Sequence, residues 1–274
     1  MLEEHGIFAP SRVQIPGRER ASAQITFVKQ QISYLIIPFY PWMSKLIKIY
    51  KKLFKHFGRQ HWWPGETRFE VIVGAILTQN TSWKNVEKAI KNLKKEKMLS
   101  CKKIANMDIR KLEKFIQPSG FYKQKAERLK KFCKYLDKNY DSNLNSFFNR
   151  DTNVIRNELL SLNGIGNETA DSILLYAGEK LKFVIDAYTK RMCERTEITK
   201  AKNYDELQDF FEKKLPKNIE LYKEFHALIV ELGKKYCRRS PGCDPCPLKD
   251  ICEYDLSTHN QKRFSSVFYP HNFS

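Results

Sequence analysis

Four cysteines near the C-terminus have a spacing that suits one metal centre. They are Cys237, Cys243, Cys246 and Cys252, separated by five, two and five residues. Four thiolates so close along the chain can surround one tetrahedral zinc ion or an iron–sulfur cubane. Disulfides are the alternative, but no secretory signal pattern opens the chain, so we expect a reducing cytosol that disfavours them. Because the protein fills all four positions, the pattern predicts a structural centre.

A glycine turn joins two helical patterns at residues 162–167, LNGIGN. Gly164 and Gly166 allow a sharp turn and leave successive backbone N–H groups uncovered, and Asn167 is predicted to be the N-cap of the next helix. Ile165 is predicted to point inward and hold the two helices together. An ordinary helical hairpin would use the same glycines. Uncovered N–H groups at a helix start can also bind phosphate, which suits a protein that inspects DNA without reading its sequence.

A lone acid, Asp186, follows an apolar segment and directly precedes a helical pattern that starts at Ala187. As an N-cap it would accept backbone N–H groups of that helix. A carboxylate fixed in this way can also stabilise positive charge that develops during a reaction. The two roles are compatible.

Helical patterns must position all of these residues. Apolar side chains recur at three- and four-residue spacing, as in Leu221, Phe225 and Leu228, whereas the alternation typical of strands is almost absent. The fold class is therefore predicted to be all-α. The predicted helices are Lys45–Phe57, Phe69–Thr78, Trp83–Lys95, Ile109–Ile116, Lys123–Tyr140, Val154–Leu162, Glu168–Gly178, Ala187–Glu197, Asp205–Lys214 and Ile219–Tyr236.

The charge balance favours a polyanionic partner. Lys and Arg number 49 against 31 Asp and Glu, a net charge of +18, and nucleic acid is the first candidate. Cations that merely solvate helix faces are the alternative. We expect no membrane partner, because the longest apolar run, residues 32–43, is short and interrupted by Pro38 and Pro41. Five basic residues around the cysteines are predicted to face DNA phosphates: Lys234, Lys235, Arg238, Arg239 and Lys249.

The hairpin at 162–166, followed after one helix by Asp186, resembles the helix-hairpin-helix DNA glycosylases of the endonuclease III superfamily. The resemblance implies that the hairpin binds DNA and that Asp186 is the catalytic carboxylate. It implies a [4Fe-4S] cluster on the four cysteines, with one residue fewer than usual between the first two; zinc is the alternative. Gln79 matches the residue that fills the gap left by an extruded base. Members that also cut the backbone have a lysine where this chain has Glu168, which cannot form an imine, so the resemblance implies a monofunctional enzyme.

Four further segments resemble the type III 3-methyladenine DNA glycosylases. They are Trp62-Trp63-Pro64 and residues 75–81, 118–126 and 164–171, within a match that runs from about residue 62 to 230. Tryptophans beside a turn are usually core residues. The resemblance implies instead that Trp62, Trp63, Pro64 and Trp83 form an aromatic slot for an alkylated base, with Glu168 beside it. An indole face attracts such a cationic base by ~2 kcal/mol. The cysteine loop departs from this branch.

These features together predict a cytoplasmic, nucleoid-associated monomer that hydrolyses the N-glycosidic bond of alkylated purines such as 3-methyladenine in double-stranded DNA. We expect a helical barrel at residues 66–186, a cluster domain formed by 41–65 and 187–274, and a poorly ordered extension at 1–40. One alternative is an endonuclease III-like glycosylase and lyase for oxidised or mismatched pyrimidines. Another is a non-catalytic DNA-binding iron–sulfur protein.

Overall fold

The computed structural model describes residues 45–254, and no β-strand occurs among them, which confirms the all-α prediction. A 3₁₀ turn lies at Gln117–Ser119 and another at Lys249–Ile251, and a π-helical turn, Ile173–Ala177, continues α9 directly. The α-helices are α1 Lys45–Phe57, α2 Arg68–Leu77, α3 Trp83–Lys95, α4 Cys101–Asn106, α5 Ile109–Ile116, α6 Tyr122–Tyr140, α7 Leu144–Phe148, α8 Thr152–Ser161, α9 Asn167–Ser172, α10 Ala187–Thr196, α11 Tyr204–Lys214 and α12 Ile219–Lys235.

The predicted bounds of α1, α3 and α5 are confirmed, and the other predicted helices agree within two residues when the π-helical turn is counted with α9. The short helices α4 and α7 were not predicted. Within residues 45–254, no helix is long and apolar enough to cross a membrane. The predicted extension at 1–40 and the apolar run at 32–43 lie outside the described residues, and the division into two domains stays a prediction.

Helix α2 is the most deeply buried helix near the predicted site. Every residue from 69 to 77 is buried, as expected of a helix that is apolar on all sides. Its Gly74 lies against two tryptophans: a Cβ atom there would be 3.0 Å from Trp63 Nε1 and 3.2 Å from Trp83. The absence of a side chain at Gly74 therefore lets both indoles pack directly on the helix backbone.

Side-chain caps fix where most helices begin. Seven N-cap side chains accept a backbone N–H of the first turn: Thr67, Asp108, Asn143, Asp151, Asp186, Asn203 and Asn218. The prediction that Asn167 caps α9 is wrong. Gly166, in an extended conformation, is the N-cap and Asn167 is already helical, so no side chain caps this helix. Its first-turn N–H groups are consequently left for another partner.

Packing brings the start of α10 next to α12. Helix α12 packs against α10, α1 and the π-helical turn. Helix α6 packs against α4, α5 and α2. The Asp186 cap and the buried face of α12 therefore lie close together, although they are far apart in sequence.

Candidate active site

Asp186 is a buried carboxylate held by the helix that it starts. Its Oδ1 accepts the backbone N–H of Thr189 at 2.7 Å and the Thr189 hydroxyl at 2.8 Å. The preceding residues, Phe183, Val184 and Ile185, are buried and anchor the segment in the core. The predicted capping role of Asp186 is thus confirmed.

The second oxygen of Asp186 faces a histidine that sequence reasoning missed. His226 Nε2 lies 3.6 Å from Asp186 Oδ2, and both residues are less than one-tenth exposed. Burial by itself raises the pKa of Asp186, but the contact and charge of His226 together with hydrogen bonds from Thr189 outweigh it and hold the pKa below its usual value. Asp186 is therefore ionised at neutral pH.

Tyr176 connects this histidine to the aromatic residues. Its hydroxyl lies 2.7 Å from His226 Nδ1 and 3.3 Å from the backbone oxygen of Lys223. On its other side, the ring packs on Trp63 with 5.2 Å between ring centroids. Contacts thus run without a break from Trp63 through Tyr176 and His226 to Asp186.

The tryptophans form a partly buried group rather than lying apart. Trp63 packs edge-to-face against Trp62 at 6.0 Å and against Trp83 at 5.4 Å. Trp83 donates its indole N–H to Glu87 at 2.9 Å. The face of Trp62 already has a cation, because Lys234 Nζ lies 4.8 Å from its ring centroid. Pro64 is exposed beside them.

A cavity of about 250 Å³ opens beside two of these tryptophans. Trp62, Trp63 and Tyr176 form its aromatic wall, whereas Trp83 and Asp186 do not line it. The remaining lining residues are Gly65, Glu66, Thr67, Arg68, Val71 and Lys223. A larger and more open cavity of about 420 Å³ has a mostly polar wall and contains no predicted site residue. We therefore take the aromatic cavity as the candidate base pocket.

Glu168 and Asp186 are close enough to influence each other. The side chain of Glu168 is exposed, yet the surrounding protein raises its pKa, and the charge of Asp186 adds to this effect. His226 and Lys190 oppose the rise. Glu168 therefore lies within electrostatic reach of Asp186.

The glycine hairpin has the turn expected from its sequence. Gly164 has φ +87°, in the region that favours glycine, and Ile165 is buried as predicted. A Cβ atom on Gly164 would lie 2.3 Å from the side chain of Arg128, whereas the space around Gly166 is open. The two glycines therefore differ: Gly164 allows the turn and a close contact, and Gly166 leaves the backbone uncovered.

Gln79 bridges its loop to this hairpin. Its Nε2 donates to the Gly164 backbone oxygen and to Thr169 Oγ1, each at 3.0 Å, and its Oε1 accepts from Arg128. To fill the gap that an extruded base leaves in DNA, the Gln79 side chain must break these three hydrogen bonds. Its role in base extrusion stays a prediction.

The four cysteines form no disulfide among the described residues and are partly exposed. Burial raises the pKa of Cys246, and the charges of Cys237, Cys252 and Cys243 raise it further. Arg195 donates to Cys237 Sγ at 3.3 Å and to the backbone oxygens of Arg238 and Arg239, which fixes the loop. No three His, Cys, Asp or Glu side chains of residues 45–254 converge closely enough to hold a metal ion as they stand. The donor set itself, four thiols on one loop, suits a cluster or zinc.

Basic residues predicted to face DNA surround this loop. Lys234, Lys235, Arg238, Arg239 and Lys249 are all exposed. Lys235 pairs with Glu231 at 3.0 Å and Lys249 with Asp244 at 2.8 Å. Exposed pairs of this kind are weak, so they do not prevent contact with phosphate.

Three residues of this region were not predicted: His226, Tyr176 and Arg128. The exposed Phe121, elsewhere in the chain, was not assigned a role either. His226 and Tyr176 lie on apolar helical faces where the sequence pattern indicates only core. Arg128 could not be singled out from the sequence, because it is one of 49 Lys and Arg residues. Phe121 did carry a signal, because it follows Gly120 in a turn, and it is the most exposed of the large hydrophobic residues described, at 65%.

Comparison with known proteins identifies the family of the chain. Residues 73–217, more than half of the chain, match a family described as HhH-GPD superfamily base excision DNA repair protein. The chain is 56% identical over 209 residues, 76% of this chain and 95% of the relative, to a protein of Methanocaldococcus jannaschii provisionally named as a DNA repair glycosylase. It is 30% identical to endonuclease III of Thermotoga maritima over 74% of this chain and 90% of the relative.

A solved structure supports the same relationship. It is the crystal structure of an H. pylori 3-methyladenine DNA glycosylase bound to 1,N6-ethenoadenine, 34% identical, with a TM-score of 0.61 over 69% of this chain and 95% of that one. With a family match over more than half of its length and a relative that it covers almost completely, the chain belongs to the HhH-GPD superfamily of base excision repair DNA glycosylases.

Proposed function

We propose that the enzyme is a monofunctional glycosylase that removes alkylated purines, 3-methyladenine first, from double-stranded DNA. The observation that carries the proposal is the chain of contacts from Asp186 through His226 and Tyr176 to Trp63 in the wall of the aromatic cavity. These contacts connect an ionised carboxylate to a cavity wall on which a planar, cationic base can stack.

The chemistry requires little beyond these groups. Breaking the N-glycosidic bond leaves positive charge on the deoxyribose, and the Asp186 carboxylate would stabilise that charge or orient the attacking water. A purine alkylated at N3 or N7 is already cationic and is a good leaving group. Stacking against Trp62 and Trp63, with Pro64 and Trp83 beside them, would select such a base over neutral ones.

Binding to DNA would come from the hairpin and the basic surface. The uncapped first turn after Gly166 would bind a phosphate through backbone N–H groups, with Gly164 and Ile165 holding the turn. Gln79 would fill the space of the extruded base after leaving its partners on the hairpin. A monomer with a cytoplasmic, nucleoid-associated location is part of the proposal.

The cysteine loop would carry a structural [4Fe-4S] cluster on Cys237, Cys243, Cys246 and Cys252, with zinc as the alternative. When bound, the centre would supply four bonds that hold the loop. Arg195, which already donates to the loop backbone, would keep Cys237 in place. Measuring iron, acid-labile sulfide and zinc in the purified protein distinguishes the two centres.

A second candidate function is that of an endonuclease III-like glycosylase and lyase for oxidised pyrimidines. Two observations favour it. The chain is 30% identical to the Thermotoga enzyme, and the Lys190 amine lies near enough to Glu168 for its charge to lower the pKa of that carboxyl group. That ammonium group lies over the Tyr204 ring at 5.9 Å, so it would have to turn to attack a sugar carbon.

The experiment compares base release by the purified enzyme from duplexes that contain 3-methyladenine, 7-methylguanine or thymine glycol, with borohydride trapping of any imine. We expect release of the methylated purines without a trapped complex. Release of thymine glycol alone would contradict the proposal that alkylated purines are the substrates. A trapped complex would contradict the proposal that the enzyme is monofunctional.

A further inference from the structure

The two oxygens of the Asp186 carboxylate have different partners. Thr189 supplies both hydrogen bonds to Oδ1. The partner of Oδ2 is His226 Nε2, at 3.6 Å. Nε2 is buried and has no hydrogen-bond partner among the described residues, so the carboxylate is the group that it faces.

Tyr176 and Asp186 together determine which ring nitrogens of His226 carry a proton. Its hydroxyl can donate to His226 Nδ1 at 2.7 Å, in which case the proton of a neutral ring lies on Nε2. Alternatively, it accepts from Nδ1 of a charged ring and donates to the Lys223 backbone oxygen at 3.3 Å. Nε2 bears a proton in both arrangements. The remaining tautomer would point the Nε2 lone pair at an ionised carboxylate and is disfavoured.

We propose that His226 is a positioning residue for Asp186: its Nε2–H orients the carboxylate and keeps it ionised, and Tyr176 fixes the ring. The inference rests on the proposed function, because it assigns the reaction to Asp186. It also gives Tyr176 two contacts, His226 on one side and Trp63 in the cavity wall on the other.

The charges around Asp186 give this role a measurable consequence. The charge of Asp186 raises the pKa of Glu168, and the charge of Lys190 lowers it. The Tyr176 hydroxyl, whose pKa burial raises, faces His226. His226 is therefore, besides Thr189, the described side chain that acts directly on the Asp186 carboxylate. Without it, a buried carboxylate beside Glu168 would retain only the Thr189 hydrogen bonds and would protonate more easily.

The test uses four variants of the full chain. His226→Ala removes the contact, His226→Gln keeps an N–H donor without the charge, and Tyr176→Phe removes the hydroxyl but keeps the ring on Trp63. Tyr222→Phe is the matched control, since it removes another buried hydroxyl from the same helix as His226, one without a hydrogen-bond partner in the part of the chain that the structure describes. Melting temperature and affinity for undamaged duplex verify that each variant is folded.

The readout is the single-turnover rate of base release against pH, on a lesion that the wild type releases. For His226→Ala we expect the acidic limb to move up by about one pH unit, with a loss of roughly tenfold at the acid end and a smaller loss at high pH. His226→Gln and Tyr176→Phe should shift it less, in the same direction. Tyr222→Phe should leave it in place.

A loss of the same factor at every pH, or no loss, in the folded His226 and Tyr176 variants would overturn the inference. Asp186→Asn, measured in parallel, separates the two claims. An active Asp186→Asn enzyme would overturn the proposed role of Asp186. An inactive one combined with an unmoved limb in the His226 variants would overturn only the positioning role.

A second readout does not depend on activity. In a chain labelled with ¹⁵N histidine, the ring nitrogens of His226 should show a protonated Nε2, and the Nε2 signal should change in Asp186→Asn. An unprotonated Nε2 in the wild type would overturn the inference even if base release were never detected.

Discussion

Replacing either glycine of the hairpin by alanine should have very different effects. At Gly164 the backbone has φ +87°, which costs alanine about 1–2 kcal/mol. The new methyl group would also meet the Arg128 side chain at 2.3 Å. Arg128 must then move away from Gln79, at a cost of about 1 kcal/mol for the lost hydrogen bond. The sum is about 2–3 kcal/mol for Gly164→Ala.

Gly166→Ala is the matched control. Its φ of −92° suits alanine, and nothing lies within 4 Å of the new methyl group. For a domain of this size, Gly164→Ala should lower Tm by ~5–10 °C, whereas Gly166→Ala should change it little. Differential scanning calorimetry on both variants measures this. Equal melting temperatures for the two variants, or a larger loss at Gly166, would refute the reasoning.

Three further substitutions test other parts of the account. Glu168→Lys should add little strand cleavage unless the new amine reaches the sugar carbon; borohydride trapping on abasic duplex shows whether it does. Burial and the charge of Arg128 lower the pKa of Lys125 from 10.5 to about 8. Between pH 8 and 10.5 the unfolded chain therefore binds more protons at Lys125 than the folded protein does. The free energy of unfolding of the wild type should consequently rise with pH across that window, relative to that of Lys125→Met, by up to ~3 kcal/mol. Urea unfolding at pH 8 and 10 checks this, and parallel curves for the two proteins would contradict it. Cys246→Ser should lose the visible absorbance of a cluster and destabilise the loop, whereas Cys133→Ser, at a buried thiol of α6, should keep the absorbance.

Local patterns were enough to predict most of the fold. The apolar spacing of α1, α3 and α5 predicts their bounds because each buries one face along its full length. The prediction that Asp186 caps α10 succeeds because capping depends on residues only three apart. Helices α4 and α7, of six and five residues, are too short for a period to be recognised.

The site was less predictable because its contacts are long-range. His226 and Asp186 are 40 residues apart in sequence, and nothing in the apolar face of α12 distinguishes His226 from a core residue. The same holds for the bridge from Gln79 to Gly164. Asn167 was assigned as a cap from its residue type, but the extended backbone of Gly166 starts the helix one residue earlier.

The most direct test of the central claim compares wild type with Asp186→Asn on a duplex containing 3-methyladenine. Asparagine keeps an oxygen that can accept the Thr189 hydrogen bonds but removes the negative charge that we propose acts on the sugar. We expect duplex affinity within about twofold and a single-turnover rate at least ~100-fold lower, in line with the loss of one preorganised electrostatic group. An unchanged rate in Asp186→Asn with intact binding would contradict the account.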